Sequence, residues 1–277
     1  MEYRLRKIPV KPFATDVQLS LYEALYSYTD DDLMISISKA SSRGLKKKRN
    51  DDHILVSRRY DAFVVADGMD DDSQCGVKSS EIAASVAIAA IDGSAAYENA
   101  KGVLEKAIAS ANLELLRRSS ILGTGCRLRS TIMIGMAKRG ALHLGHVGDS
   151  KAYLIRNYKI RQLTIDHSLT TMLDGVIPRQ SGLESVSRSV TRALGVSTSV
   201  PVEYGSANVT AGDLAVFCTD GVWRILGECE ILRLVSRNIP LGGKAKVLVD
   251  AARIHGGPDD ASAIILDIEA NPDPMVA

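Results

Sequence analysis

Residues 61–68 read Asp-Ala-Phe-Val-Val-Ala-Asp-Gly, an apolar run that ends in an acid followed at once by a glycine. An apolar run rich in β-branched residues predicts a buried strand. An ionised carboxylate at the end of such a strand is costly to bury unless a positive partner stands beside it. A hard divalent cation is the simplest such partner, because its preferred ligands are oxygens. The run therefore predicts a core strand that delivers Asp67, and the carbonyl of Gly68, to a metal.

The same design recurs further along the chain. Residues 214–219 form an apolar run into Asp220-Gly221, and Asp259-Asp260 precede the apolar run 263–266. Asp51-Asp52 and Asp149 also lie at strand ends or in turns. A lone Asp-Gly pair is weak evidence, because it is common in turns. We interpret the chain as arranged to bring these carboxylates together; the alternative is an ordinary globular protein with chance Asp-Gly turns.

Composition limits the classes of partner. The chain has 277 residues, is 45% hydrophobic and carries a formal net charge of +1. This balance argues against a general nucleic-acid or membrane-surface binder. The exception is the basic run at 46–49, which is either a solvated loop or a binding loop. We therefore expect no nucleic acid and no membrane among the partners.

Neither a leader nor a second domain is indicated. Residues 1–13 lack an apolar signal-peptide core, and the four cysteines are not closely paired, so neither a disulfide framework nor a zinc site is suggested. These features predict a cytoplasmic protein, and we expect it to be a monomer. We expect residues 1–32 to be an N-terminal extension with a short helix over 17–28, residues 33–270 to form one domain, and residues 271–277 to be a tail.

The middle of the chain indicates the fold class. Apolar residues at helical spacing predict two helices over 82–89 and 104–115, and two more are expected over 228–238 and 244–254. Between these pairs, strands at 131–137, 141–147, 152–155 and 159–163 are joined by short polar connections typical of antiparallel hairpins. A further strand is expected at 200–204. This order favours an α+β sandwich of antiparallel sheets flanked by helices over a doubly wound parallel sheet, which needs regular βα alternation.

The motifs resemble those of a known family. They are Asn-Asp-Asp at 50–52, Val-Val-Ala-Asp-Gly-Met at 64–69, Val-Gly-Asp-Ser-Lys-Ala-Tyr-Leu at 147–154, Leu-Thr-Ile-Asp-His-Ser-Leu at 163–169, Thr-Arg-Ala-Leu-Gly at 191–195, Cys-Thr-Asp-Gly-Val-Trp at 218–223 and His-Gly-Gly-Pro-Asp-Asp at 255–260. In this order and spacing the chain resembles, from about residue 34 to residue 268, the metal-dependent protein serine/threonine phosphatases of type 2C, the PPM family. The resemblance is strongest to its bacterial branch.

The resemblance implies a fold and a site. The fold is a four-layer αββα sandwich, with two antiparallel β-sheets flanked by helices. The site would hold two Mg²⁺ or Mn²⁺ ions, with a third where bacterial members bind one. The implied metal ligands are Asp67 as the bridge, Asp220 and Asp259 on the first ion, Asp51 and the Gly68 carbonyl on the second, and Asp149 with Asp220 on the third. Asp52 would orient the attacking water, Lys47 would bind phosphate, and residues 169–189 would form a flap.

Several positions depart from the family pattern. Asp51 stands where Glu is usual and is one methylene shorter. Lys47 stands where Arg is common, and a lysine cannot make the bidentate contact of a guanidinium. Acids at 70 and 71 replace two glycines, Asp260 replaces Asn, and Met69 replaces a histidine found in many eukaryotic members.

Three functions are compatible with these residues. The first is hydrolysis of phosphoserine and phosphothreonine in proteins by a metal-activated water at a binuclear site, acting on targets of a Ser/Thr kinase. The second is a catalytically weakened or inactive relative that binds phosphoproteins or regulates a kinase. The third is a metal-dependent hydrolase of small phosphoesters. The retained carboxylates favour the first, because an inactive copy has no chemical reason to keep them.

Overall fold

The chain folds into two stacked sheets between two pairs of helices. The computed structural model describes residues 26–30 (backbone only), 33–57, 61–69, 77–95, 98–123, 125–165 and 192–271. In chain order the elements are β1 (Tyr26–Asp30), β2 (Leu33–Ser42), β3 (Asp52–Val56), β4 (Ala62–Asp67), α1 (Ser79–Asp92), α2 (Ala100–Leu122), β5 (Ile132–Lys138), β6 (Ala141–Val147), β7 (Lys151–Arg156), β8 (Lys159–Gln162), β9 (Glu203–Asn208), β10 (Leu214–Cys218), α3 (Asp220–Val235), α4 (Leu241–Ile254) and β11 (Ala261–Ala270).

All pairings among these strands are antiparallel. One sheet has six strands in the order β1-β2-β11-β10-β7-β8, and the other has five in the order β3-β4-β5-β6-β9. The six-stranded sheet packs on α3 and α4, and the five-stranded sheet packs on α1 and α2. The predicted four-layer αββα sandwich is confirmed, and the doubly wound alternative is wrong.

The alternation of side chains along β4 explains why its whole sequence is apolar. Ala62, Val64 and Ala66 face the layer of α1 and α2, whereas Phe63 and Val65 face the space between the sheets. There the ring of Phe63 meets that of Phe217 from β10 edge-on, with centroids 4.5 Å apart. A strand buried on both faces has no position for a polar residue until it ends. The first polar residue is Asp67.

Three local predictions are wrong. Residues 26–28, expected at the end of a helix, lie in β1, which pairs along its length with β2. Helix α3 begins at Asp220 rather than at 228, and Gly227 interrupts it with a non-helical φ of 66°. The strand expected at 200–204 is displaced to β9. The expected flap at 169–189 and the acids at 70 and 71 lie outside the described residues.

The cysteines also differ from the expectation. Cys126 is disulfide-bonded, whereas Cys218 and Cys229 are free thiols. A disulfide that the cysteine spacing did not suggest is therefore present at Cys126. Among the described residues, no helix is long and apolar enough to cross a bilayer.

Candidate functional site

The candidate site lies at one end of the space between the two sheets. In β4, β10 and β11 the positions that face this space alternate with positions that face the helices. Continuing the period of two past the apolar residues places Asp67, Thr219 and Asp260 on the inward side. Asp52, at the start of β3, is paired directly with Asp67 in the antiparallel register. Strand alternation thus delivers polar side chains from both sheets to one place.

Asp67 stands in a strongly negative environment. Burial raises the pKa of its carboxyl well above the ordinary value, and the charges of Asp52, Asp220, Asp259 and Asp149 raise it further. Like charges this close disfavour simultaneous ionisation unless cations neutralise them. The charges of these four acids therefore all act on Asp67.

Asp52 ties the two sheets together. Its Oδ2 accepts a hydrogen bond from Oγ1 of Thr219 at 2.8 Å, and the same Oγ1 accepts one from the backbone N–H of Ser262 at 3.0 Å. Asp52 is 4% exposed, and burial raises the pKa of its carboxyl well above the ordinary value. Thr219 precedes α3, yet its hydroxyl bonds across the sheets instead of capping the helix. One oxygen of Asp52 is thereby held in a fixed position.

Asp220 and Asp149 share a guanidinium. Arg224 places Nη2 2.6 Å from Oδ2 of Asp149 and Nη1 3.2 Å from Oδ2 of Asp220. Burial and the Asp149 charge nevertheless raise the pKa of Asp220 to about 6. Its other oxygen, Oδ1, is buried and accepts no hydrogen bond within the described part of the chain. Gly148, with φ 124°, makes the turn into Asp149 where a Cβ would meet the Thr131 side chain at 2.6 Å.

Lys47 lies at the open edge of the cluster. Its Nζ is 2.8 Å from Oδ1 of Asp259, and both side chains are more than a third exposed. Burial alone would lower the pKa of Lys47, but the hydrogen bond and charge of Asp259 raise it, helped by the charges of Asp260 and Asp67. The basic run is therefore more than a solvated loop, because one of its lysines contacts the predicted site.

The loop that carries Lys47 is anchored by Asp260. The carboxylate of Asp260 accepts hydrogen bonds from the backbone N–H groups of Gly44, at 2.8 Å, and Asp51, at 2.7 Å. A carboxylate can accept both, and an amide would have only one oxygen to offer. The departure from Asn at this position therefore has a structural use.

Asp51 and Gly68 are neighbours through the backbone. The N–H of Gly68 donates to the carbonyl of Asp51 at 3.1 Å. The carboxylate of Asp51 is paired with Nε of Arg49. The backbone of Asp51 therefore lies beside Gly68, and the side chain of Asp51 contacts Arg49.

The acidic side chains of the cluster offer the kind of oxygen ligand that a divalent cation binds. Among the described residues, no three acidic, histidine or cysteine side chains converge closely enough to hold an ion as they stand. The cluster nonetheless supplies carboxylate oxygens, one of them the buried and unpaired Oδ1 of Asp220. Hard cations such as Mg²⁺ and Mn²⁺ take such oxygens together with several waters. The residues fit these ions in kind, and the basic side chains neutralise part of the cluster.

The sequence did not predict the contacts of Arg224 with Asp149 and Asp220, nor that of Arg49 with Asp51. Arg224 lies four residues after Asp220, a spacing that places both on one face of a helix. The signal was hidden because α3 was expected to begin at 228. Arg49 belongs to the recognised basic run, but its pairing with Asp51 has no sequence signature.

An αββα sandwich with acidic side chains between its sheets is the arrangement that the resemblance to the PPM phosphatases implies. No protein-family model matches the chain. The chain is 27% identical over 236 residues to the serine/threonine phosphatase Stp of Listeria monocytogenes, covering 82% of this chain and 93% of that protein. The resemblance to bacterial PPM-type serine/threonine phosphatases is thereby confirmed.

Solved structures agree on the fold. The crystal structure of the Mycobacterium tuberculosis serine/threonine phosphatase PstP/Ppp matches with a TM-score of 0.74 at 24% identity, over 85% of this chain and 99% of that one. The catalytic domain of PstP in complex with two manganese ions also matches with a TM-score of 0.74, at 23% identity over 86% and 99% of the two chains. At these identities the structures show the fold alone.

Proposed function

We propose that the protein hydrolyses phosphoserine and phosphothreonine in other proteins, using a water activated at a binuclear metal site. The observation that carries the proposal is the environment of Asp67, where four further carboxylates raise the pKa of one acid at the end of a core strand. Such a cluster is costly to maintain unless cations bind it. The fold, and the similarity to named serine/threonine phosphatases, supply the reaction class.

The proposed ligands follow the positions of the side chains. Asp67 would bridge the two ions, and Asp220, through its unpaired Oδ1, and Asp259 would complete the first. Asp51 and the carbonyl of Gly68 would serve the second. Two bound divalent cations supply a nucleophile at neutral pH and neutralise charge on the phosphoryl oxygens. The manganese ions of the PstP structure support this choice of cation.

The remaining roles fall to side chains of this chain. Asp52, fixed through Thr219, would accept a hydrogen bond from the attacking water and hold it in line with phosphorus. Lys47, at the open edge, would bind the phosphoryl group as a point charge. Cys218, two residues before Asp220, is not suited to nucleophilic attack, because it is fully buried and burial raises the pKa of its thiol.

The proposal includes a partner and a setting. The substrate would be a protein phosphorylated by a Ser/Thr kinase, and the enzyme would act as a monomer in the cytoplasm. The domain limits, with an extension over 1–32, a phosphatase domain over 33–270 and a tail over 271–277, remain part of the proposal. Residues 26–30 nevertheless pair with β2, so this end of the extension contributes to the sheet.

The experiment is phosphate release from a phosphothreonine peptide, with Mn²⁺ and then with excess chelator. We expect turnover that requires Mn²⁺ or Mg²⁺ and resists serine- and thiol-directed inhibitors. Asp67→Asn should remove nearly all turnover, whereas Asp267→Asn, the same change far from the cluster on β11, should leave it intact. Full turnover in chelator would refute the metal mechanism. A preference for p-nitrophenyl phosphate over any phosphopeptide would favour a small-phosphoester hydrolase.

A further inference from the structure

A partly exposed arginine of the chain itself, Arg224, stands at the position implied for a third metal. The guanidinium of Arg224 contacts Oδ2 of Asp149 and Oδ2 of Asp220, at 2.6 and 3.2 Å. These are the two acids that would hold a third ion. Asp149 lies between β6 and β7, and Asp220 is the first residue of α3. Arg224 therefore bridges two largely buried carboxylates from different elements, although its own side chain is 34% exposed.

The arginine is held in place by its neighbours. Arg224 and Asp220 are four residues apart on α3, so the helix itself sets their contact. The adjacent Trp223 donates from Nε1 to the carbonyl of Asp149 at 3.1 Å, and Lys151 lies over its ring with Nζ 4.0 Å from the centroid. The carbon Cζ of Arg224 lies 5.2 Å from the centre of the same ring. The indole therefore joins the helix start to the β6–β7 turn and fixes the distance that the guanidinium spans.

A metal ion and this guanidinium exclude each other. A divalent cation binds carboxylate oxygens at roughly 2.0–2.6 Å. An ion at that distance from the two Oδ2 atoms would fall where the guanidinium nitrogens lie, and the two positive charges would repel. The two carboxylate oxygens of Asp220 have different surroundings. Oδ2 faces Arg224, whereas Oδ1 is buried without a hydrogen bond from the described residues and is available to the binuclear site.

We infer that Arg224 replaces the third metal ion, so that this protein binds two divalent ions and supplies the third positive charge from its own chain. The inference rests on the proposed binuclear site. It makes Arg224 a positioning residue, which acts through Asp149 and Asp220 and does not touch the substrate. The guanidinium of Arg224 is part of the chain and cannot dissociate as a metal ion does. The neutralisation of Asp220 at this position is therefore independent of the free metal concentration.

The experiment counts bound Mn²⁺ per chain by equilibrium dialysis on the full chain, with calorimetry on the same samples. We expect two ions for the wild type and three for Arg224→Ala, because one or two carboxylates with waters suffice for such an ion. Arg224→Lys keeps a cation at this place and should still bind two. Arg233→Ala is the matched control, since Arg233 lies on the same helix but pairs with Glu230 and not with the acids of the cluster.

A second readout does not depend on catalysis. In chelator, Arg224→Ala should unfold at a midpoint several degrees below the wild type, and excess Mn²⁺ should restore the midpoint by filling the vacated position. Three ions in the wild type, or two in Arg224→Ala, would overturn the inference while leaving the binuclear enzyme intact. No bound Mn²⁺ in any variant would overturn the proposed function and this inference together.

Discussion

Replacing Asp220 with asparagine should abolish activity and at the same time stabilise the metal-free protein. Asp220 lies at the start of α3, with its side chain 13% exposed. Burial and the charge of Asp149 raise the pKa of Asp220 from 3.8 to about 6, despite the opposing charge of Arg224. A carboxyl whose pKa is higher in the folded state than in the unfolded state weakens folding when it is ionised. Asparagine removes that charge.

The size of the effect follows from the pKa. The difference between about 6 and 3.8 is about 2.2 units, and at 1.36 kcal/mol per unit the ionised group costs about 3 kcal/mol at pH 7. The cost is absent below about pH 4, because the carboxyl is then protonated in both states. It grows as the pH rises from 4 to 6 and is complete above 6. For a chain of this size, about 3 kcal/mol corresponds to roughly 6 °C in the unfolding midpoint.

The assay is thermal unfolding of the wild type and Asp220→Asn in chelator, at pH 4 and pH 7. We expect equal midpoints at pH 4 and a midpoint about 6 °C higher for the variant at pH 7. Adding Mn²⁺ should reverse the order, since a metal at 100 times its Kd stabilises the wild type by about 2.7 kcal/mol per site. Asp267→Asn should show neither effect. A variant that is less stable than the wild type at pH 7 in chelator, or that retains phosphatase turnover, would refute the reasoning.

Three further predictions concern the loop at 44–51 and the start of α3. Lys47→Ala should raise KM for a phosphothreonine peptide by about tenfold and lower kcat less, as expected for a charged contact made mainly in the ground state; an unchanged KM would show that the lysine does not bind phosphate. Asp51→Glu should lower the Mn²⁺ concentration for half-maximal activity and Asp51→Ala should raise it, and identical activation curves would place Asp51 outside the metal site. Gly221→Ala should prevent normal folding, seen as loss of the cooperative unfolding transition, because its Cβ would lie 2.0 Å from the carbonyl oxygen of Asp260; a wild-type midpoint would contradict this.

The parts of the fold that could be predicted from sequence are those fixed by local alternation. β4 is apolar at every position because both of its faces are buried, and its end was visible as the first charge, Asp67. Strand β6 and the hairpin that follows it were found because short polar connections leave few alternatives. These signals are local, and they remain valid whatever the rest of the chain does.

The errors arise where distant partners decide the conformation. Residues 26–30 have no strong pattern and become a strand because β2 offers a full row of backbone partners. The start of α3 was missed because Asp220-Gly221 has the sequence of a turn; in the structure the Thr219 hydroxyl before it bonds to Asp52 and does not cap the helix. The pairing of Arg224 with Asp149 joins residues 75 positions apart, and no local pattern announces it.

The carboxylates around Asp67 were predicted as a group, but their partners were not. The acidic positions follow from strand ends, which sequence displays. The packing of the folded chain decides which basic side chain neutralises which acid. Lys47 forms an ion pair with Asp259, and Arg49 forms one with Asp51. Such side-chain pairs form only in the folded protein, and for this reason the contacts of Arg49 and Arg224 were not predicted.

The position of β11 has a consequence for the synthesis of the protein. This strand lies between β2 and β10, and Ala261 pairs with Ser42. Until the ribosome has released β11, strands β1 and β2 cannot be joined to β10, β7 and β8. The carboxylates of Asp259 and Asp260 are also missing from the cluster until then. Such long-range pairing is slow, and it exposes strand edges while it is incomplete. Nascent or prematurely terminated chains therefore lack part of the acidic cluster, and they expose the strand edges that β11 covers in the complete fold.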